Sequence, residues 1–151
     1  MKPTNFAKYL TNFLSVYLPT QKNASKNTIY SYRDTFKLLL HYCQDVKGLP
    51  VERLTLEGLS SKWITDFLEW LEVERKCSIS TRNQRLAAIH AFFRYVQAEE
   101  PAGLFHFQKI TSIPIKKAKK IKDIFSLGKT IFEIIISCYV VVLKWKKEGE
   151  I

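Results

Sequence analysis

Paired cysteines, clustered glycines and acidic residues are all scarce in this sequence, and each shortage removes a class of function. The three cysteines, Cys43, Cys77 and Cys138, are odd in number and never form a CxxC pair. Neither a disulfide framework nor a structural zinc site is expected, and a reducing cytoplasm is the expected compartment. The five glycines are all isolated, so there is no glycine-rich phosphate loop, and no GxSxG nucleophile turn occurs. His41, His90 and His106 lack HExxH spacing, which leaves no metal site. Glu72 and Glu74 are two apart and point to different sides of a helix, a poor geometry for an acid pair. Trp63, Trp70, Phe92 and Phe93 read most simply as packing residues. The opening MKPTNFAKYLTNF has no apolar run with a small-residue cleavage site, so it is not a secretory signal. The uncharged apolar run Ile134 to Leu143 is ten residues long, whereas a membrane span needs ~20. Extending it back to Ile124 admits Lys129 and Glu133, so membrane insertion is disfavoured. Nothing here looks catalytic, and no cofactor or small-molecule substrate is implied.

What is present is an ordinary globular balance with a strong charge bias. Of 151 residues, 46% are hydrophobic and 25% charged, enough for one sizeable core. Lys and Arg number 24 against 14 acids, a net charge of +10. Such a field favours a polyanion, either nucleic acid or an anionic membrane surface. Residues 1–50 carry seven basic residues against Asp34 and Asp45, and residues 101–151 carry ten lysines against four acids. The middle is near neutral, with acids grouped at Glu69, Glu72 and Glu74 and basic residues following at Arg82, Arg85 and Arg94. This segregation is what a one-sided electrostatic footprint requires, although solvated helix faces explain any single cluster equally well.

Hydrophobic periodicity predicts an all-α core of four amphipathic helices. The first carries Phe6, Leu10, Phe13, Leu14, Tyr17 and Leu18, and Pro19 is expected to end it. The second, capped by Ser25, carries Ile29, Tyr32, Phe36, Leu39, Leu40 and Cys43, and Gly48-Leu49-Pro50 closes it. An irregular stretch, VERLTLEGLS, should bury Leu54, Leu56 and Leu59. The third helix turns Ile64, Phe67, Leu68 and Leu71 inward. The fourth is expected to open at Ser80 and to carry Leu86, Ile89, Phe93 and Val96 before Pro101. Beyond Pro101 the sequence reads as a connector, with an extended Ile-Pro-Ile and five lysines between Lys116 and Lys122. An apolar tail follows, whose β-branched residues weaken a helix assignment.

The second and fourth helices open alike, as SKNTIYSYRDTFK and SISTRNQRLAAIHAFFRYV. Each places hydroxyl residues at a cap and then basic and amide residues opposite the apolar stripe. Free N–H groups and the positive end of a helix dipole suit a phosphate. Lys26, Asn27, Thr28 and Arg33 could serve on one helix, and Ser80, Thr81, Arg82, Asn83 and Arg85 on the other. Arg and Asn are also the side chains that read G and A edges in the major groove. Taken singly, each residue is as well explained by capping or solvation. The pairing, on a chain of +10, points to DNA.

NTIYSYRDTFKLLLHYC, LTLEGLSSKWITDFLEWLEVER and SISTRNQRLAAIHAFFRYV, in that order, resemble the N-terminal core-binding domain of tyrosine recombinases, the phage-integrase family. The resemblance runs from about Phe6 to the IPIKKAKK connector. It implies a SAM-like orthogonal four-helix bundle over residues 1–110, a basic linker over 111–123, and a tail over 124–151. It also implies half of a C-shaped clamp on duplex DNA, with the second and fourth helices against the major groove. By this carry-over Lys26, Asn27, Thr28, Tyr32, Arg33, Thr81, Arg82, Arg85 and His90 face DNA, joined by Lys116, Lys117, Lys119 and Lys120 of the linker. Tyr32 also falls on the apolar stripe, which leaves a core role open for it. Family members continue into a catalytic domain with an Arg/Lys/His/Arg set and a nucleophilic Tyr. Here IFSL at Ile124–Leu127 faintly resembles its start, and from Gly128 onward the resemblance ends. The expectation is a truncated mobile-element member that binds DNA in a bacterial cytoplasm and cannot recombine it alone. The alternative is a helical interaction module that pairs with, or competes against, full-length recombinase protomers. A membrane-surface role for Lys144, Lys146 and Lys147 is the third reading.

Overall fold

The computed structural model describes residues 2–118, 128 and 131–137. The chain divides into two compact units, Met1–Lys116 and Lys117–Ile151. The described residues are helical wherever they are regular, as the periodicity predicts.

Helix α1 spans Asn5–Asn12, started by the Thr4 hydroxyl accepting from the Ala7 amide at 3.2 Å. It does not stop at Pro19. It continues as a π-helix over Phe13–Gln21 with Pro19 inside. Spacing hydrogen bonds five residues apart, as in Lys22 N–H to the Tyr17 carbonyl at 3.0 Å, widens the turn around the proline ring. The Ser15 and Thr20 hydroxyls bond back to the Thr11 and Val16 carbonyls and occupy acceptors within the widened turns. Asn23, in the left-handed region at φ 47°, then reverses the chain.

Helix α2 spans Lys26–His41, with Ser25 capping the Thr28 amide at 3.2 Å. A π-helical extension, Tyr42–Val46, ends at Gly48 with φ 66°, a value suited to glycine. Cys43 in this extension is completely buried. After a 3₁₀ turn at Val51–Arg53, Leu54, Leu56 and Leu59 are all fully buried, as expected. Asn5 secures this stretch by accepting from the Leu56 amide at 3.0 Å and donating to Glu57 at 2.9 Å.

Helix α3, Ser61–Val73, is capped by Ser60 and buries Ile64, Phe67, Leu68 and Leu71. Helix α4, Ile79–Glu99, begins earlier than the sequence suggests. Ser78, not Ser80, is the cap: its hydroxyl accepts from the Thr81 amide at 3.1 Å. The reason lies in the preceding turn. Lys76 adopts φ 53° and the Cys77 amide returns to the Leu71 carbonyl at 3.0 Å, which leaves Ser78 extended and in place to cap. Ser78→Ala should therefore lower stability by about 1 kcal/mol in urea denaturation, and Ser80→Ala by less than about 0.5 kcal/mol.

Helix α4 is the axis of the core. Leu86, Ile89, Phe93 and Val96 are buried as expected, and Phe92 and Tyr95 join them. The Phe92 ring lies 5.7 Å from Phe6, 5.4 Å from Phe13, 5.1 Å from Phe36 and 5.2 Å from Phe93. The expected connector after Pro101 contains a fifth helix. A 3₁₀ turn at Pro101–Gly103 leads into α5, Leu104–Thr111, which buries Phe107 and Ile110. Gly103 permits this turn, since a Cβ there would meet the Phe107 ring at 2.4 Å. Residues 113–118 are non-helical, in keeping with the Ile-Pro-Ile reading.

In the second unit residues 131–137 are helical, with Ile131, Phe132, Ile134, Ile135 and Ile136 exposed. The rest of the apolar tail lies outside the described residues. Among the described residues no helix is long and apolar enough to cross a membrane.

Candidate nucleic-acid interface

Helices α2 and α4 meet along a seam with polar bridges. Gln84 Nε2 donates to Ser31 Oγ at 3.3 Å, and Arg85 Nη1 to Thr35 Oγ1 at 3.4 Å. A groove of about 300 Å³ at this seam is lined by Asn27, Tyr30, Ser31, Asp34, Gln84 and Arg85. A second hollow of about 290 Å³, also between α2 and α4, has Lys22, Thr28 and Arg94 among its lining residues, along with the Tyr17 and Tyr32 rings.

The expected DNA-facing residues divide into two groups. Lys26 and Asn27 are exposed in the first turn of α2. Arg33 is exposed, 3.6 Å from Asp34, with its guanidinium 5.0 Å from the centre of the Tyr30 ring. Arg85 is half-buried at the seam, held by its hydrogen bond to Thr35. Thr28 and Thr81 sit at the caps, hydrogen-bonded to Ser25 and Ser78. Lys117 is exposed, and Lys116 donates to Glu72 Oε2 at 2.7 Å. Lys119 and Lys120 lie outside the described residues.

Three of the expected residues turn inward instead. The Tyr32 ring stacks on Phe13 at 6.2 Å, so it forms a wall of the core. Arg82 is only 8% exposed. Its Nε lies 3.4 Å from Glu72 Oε1, and its Nη1 donates to Asn83 Oδ1 at 3.0 Å and to the Pro114 carbonyl at 3.4 Å. The Nε approach is an ion pair without hydrogen-bond geometry. His90 is likewise 8% exposed, facing the Ile110 carbonyl of α5. Burial first, and the Arg94 charge second, push its pKa below the ordinary histidine value. Both Arg82 and His90 are covered by the polypeptide after Pro101, which by sequence alone reads as a connector.

Hydrophobic periodicity does not single out several residues that line the seam: Lys22, Tyr30, Ser31, Gln84 and Arg94. Their signal is the complement of the apolar stripe. On α4, Ser80, Gln84, Ala87 and Arg94 are exposed and Ala91 half-buried, a run at helical spacing. Its centre is alanine, which lets a ligand approach the helix backbone. The charges are sided. Lys22, Arg85 and Arg94 line the two hollows together with Asp34, and Lys26 and Arg33 are exposed on α2, whereas α3 and its C-cap carry Asp66, Glu69, Glu72 and Glu74; Lys37 lines a separate hollow with Asp34, Asp45, Trp70 and Arg75. Among the described residues no group of His, Cys, Asp and Glu could hold a metal ion.

Comparison with known proteins agrees with this architecture. Residues 10–100 match the family model "Phage integrase, N-terminal SAM-like domain". Two relatives from Sinorhizobium fredii (strain NBRC 101917 / NGR234) are similar over most of this chain. "Putative integrase/recombinase y4rC" is 39% identical over 116 residues, 77% of this chain and 35% of the relative. "Putative integrase/recombinase y4rD" is 38% identical over 112 residues, 74% of this chain and 40% of the relative. The chain thus spans well under half the length of these relatives. No solved structure matches it. The matched span begins in α1 and ends just past α4, so it takes in both helices of the polar seam, and the chain belongs to the phage-integrase N-terminal SAM-like domain family.

Proposed function

We propose that the unit Met1–Lys116 binds duplex DNA along the α2–α4 face, as the DNA-holding part of an integrase/recombinase system. The observation that carries this reading is the placement of cations: Arg85 lines the seam groove, Lys22 and Arg94 line the second hollow, and Lys26 and Arg33 are exposed on α2. Lys22, Lys26, Arg33 and Arg94 suit phosphates, and the first turn of α2 adds its dipole. Asn27 and Gln84, beside the groove, carry the amide groups that read adenine edges. The alanine stripe allows close approach of α4 to a groove wall. The family and the relatives' names support a recombination setting. In this reading these residues hold DNA and do not cleave it. The partners are double-stranded DNA and other recombinase protomers.

The test is fluorescence anisotropy of a labelled duplex titrated with the full chain across a salt series. Log affinity should fall linearly with log salt. Lys22→Ala and Arg94→Ala should each reduce the slope by about 0.9, as expected when one phosphate is no longer neutralised. Lys62→Ala on α3, away from the seam, should leave it unchanged. Absence of binding at low salt by the folded protein overturns the reading and favours an interaction module. Equal slopes for all three variants would place DNA elsewhere.

A further inference from the structure

The three histidines differ in whether their surroundings accept a charge. His41 is exposed and lies 3.7 Å from Asp45. His106 of α5 sets its Nε2 2.9 Å from the Leu59 carbonyl, a bond that an Nε2–H makes whether the ring is neutral or charged. His90 of α4 has no such arrangement. It is 8% exposed, and its Nε2 is buried without a hydrogen-bond partner. A charged imidazole carries two N–H donors, so protonating His90 in place would bury a cationic donor with nothing to receive it.

Helix α5 seals this site. It packs against both α4 and α3, sets the Phe107 ring 5.7 Å from Phe93, and presents the Ile110 carbonyl to His90. Burial foremost, then the like charge of Arg94 on α4, keeps the ring neutral; the Ile110 carbonyl favours the charged form and is outweighed. The other charged groups nearby are engaged elsewhere. On α5, His106 is held at Leu59 and Lys109 is exposed. On α3 and its C-cap, Asp66 pairs with Lys47 and Lys62, Glu72 pairs with Arg82 and Lys116, and Glu69 and Glu74 are exposed.

We propose that His90 makes the α4–α5 junction an acid-sensitive latch: α5 stays docked on a neutral ring and is released when the ring takes a proton. The latch belongs to this junction alone and operates with or without DNA. Its sign follows from linkage. Above the ordinary histidine value of 6.5 the ring is neutral whether α5 is docked or released, and docking is at full strength. Below that value the released ring binds a proton that the docked ring refuses. Docking therefore weakens as pH falls, until the docked ring is protonated too. Acidity thus sets how much of α4 is covered.

Hydrogen exchange at the Phe107 and Ile110 amides of the full chain, corrected for the intrinsic pH dependence of exchange, measures the release of α5. The opening constant should rise about tenfold from about pH 7.5 to about pH 5.5, as one proton taken up by an ordinary histidine requires. His90→Gln and His90→Leu should each abolish this pH dependence, whatever their absolute level, and His106→Gln should retain it. Amides of Phe67 and Leu68 in α3 should not follow over the same range. An opening constant independent of pH in the wild-type chain overturns the proposal, as does undiminished pH dependence in a folded His90 variant. Parallel acceleration in α3 overturns it as well, because the whole fold is then being lost. Should neither His90 variant fold, titration of the His90 ring by NMR in the wild-type chain decides: a midpoint below 6.5 supports the latch, and one at or above 6.5 overturns it.

Discussion

Phe92→Ala is expected to lower stability by about 3–5 kcal/mol, the cost of removing a buried aromatic side chain and leaving its cavity. Folded domains have only about 5–15 kcal/mol in total, so most of the margin would be lost. The position of the ring explains the size of the effect. It meets Phe6 of α1, Phe13 of the π-helical continuation, Phe36 of α2 and Phe93 of its own helix, at centroid distances between 5.1 and 5.7 Å. These meetings are edge-to-face, an arrangement that adds to the gain from burial. Three separate stretches of helix converge on one ring, so none can relax into the cavity without disturbing the others. Urea denaturation followed by circular dichroism should show the loss. Phe105→Ala, at a residue 83% exposed, should change stability by less than about 0.5 kcal/mol. Comparable losses for the two variants would mean that the core is not centred on Phe92.

Arg82→Ala should be the second large effect, and it separates two roles that the sequence alone leaves together. Were Arg82 a phosphate contact, its removal would weaken DNA binding and leave stability alone. Its guanidinium is instead enclosed between Glu72, Asn83 and the Pro114 carbonyl. Breaking a buried ion pair costs about 3–5 kcal/mol when the remaining charge is stranded. Here Glu72 keeps Lys116 at 2.7 Å and its side chain is 22% exposed, so a smaller loss of about 2 kcal/mol is expected. Thermal unfolding of the variant should show it. Full stability combined with a slope reduced by one phosphate contact would restore Arg82 to the DNA-facing set.

Much of the fold is legible in the sequence because burial follows period. Ile64, Phe67, Leu68 and Leu71 stand at i, i+3, i+4 and i+7, and all four are buried. The leucines of VERLTLEGLS are equally plain. Cap positions are less so. Ser78 and Ser80 are both good caps by residue type, and the choice between them depends on how the turn at Lys76 closes α3, a tertiary matter. Pro19 misleads for a related reason: proline breaks a helix whose hydrogen bonds are four residues apart, and here they are five apart. One omission then produces two misplacements. Reading Leu104–Thr111 as connector hides the cover over α4, and without it Arg82 and His90 look exposed. The paired basic openings of α2 and α4 are visible as composition. That Gln84 and Arg94 join the α2 cations on one face follows only once the packing of the two helices is known.

The burial of Cys43 gives the molecule an internal clock for its own opening. Alkylating reagents attack the thiolate, and burial raises the pKa of this thiol to about 11, leaving almost none ionised near neutral pH. Reagent reaches the sulfur only when the end of α2 parts from its neighbours. The modification rate at Cys43 then equals the equilibrium fraction of opened molecules multiplied by the rate for a free thiol, provided reclosing is fast. Bound DNA, if it engages α2, must slow that clock by the same factor by which it suppresses opening. Occupancy of the helical face can thus be timed from inside the core, with no label on either partner.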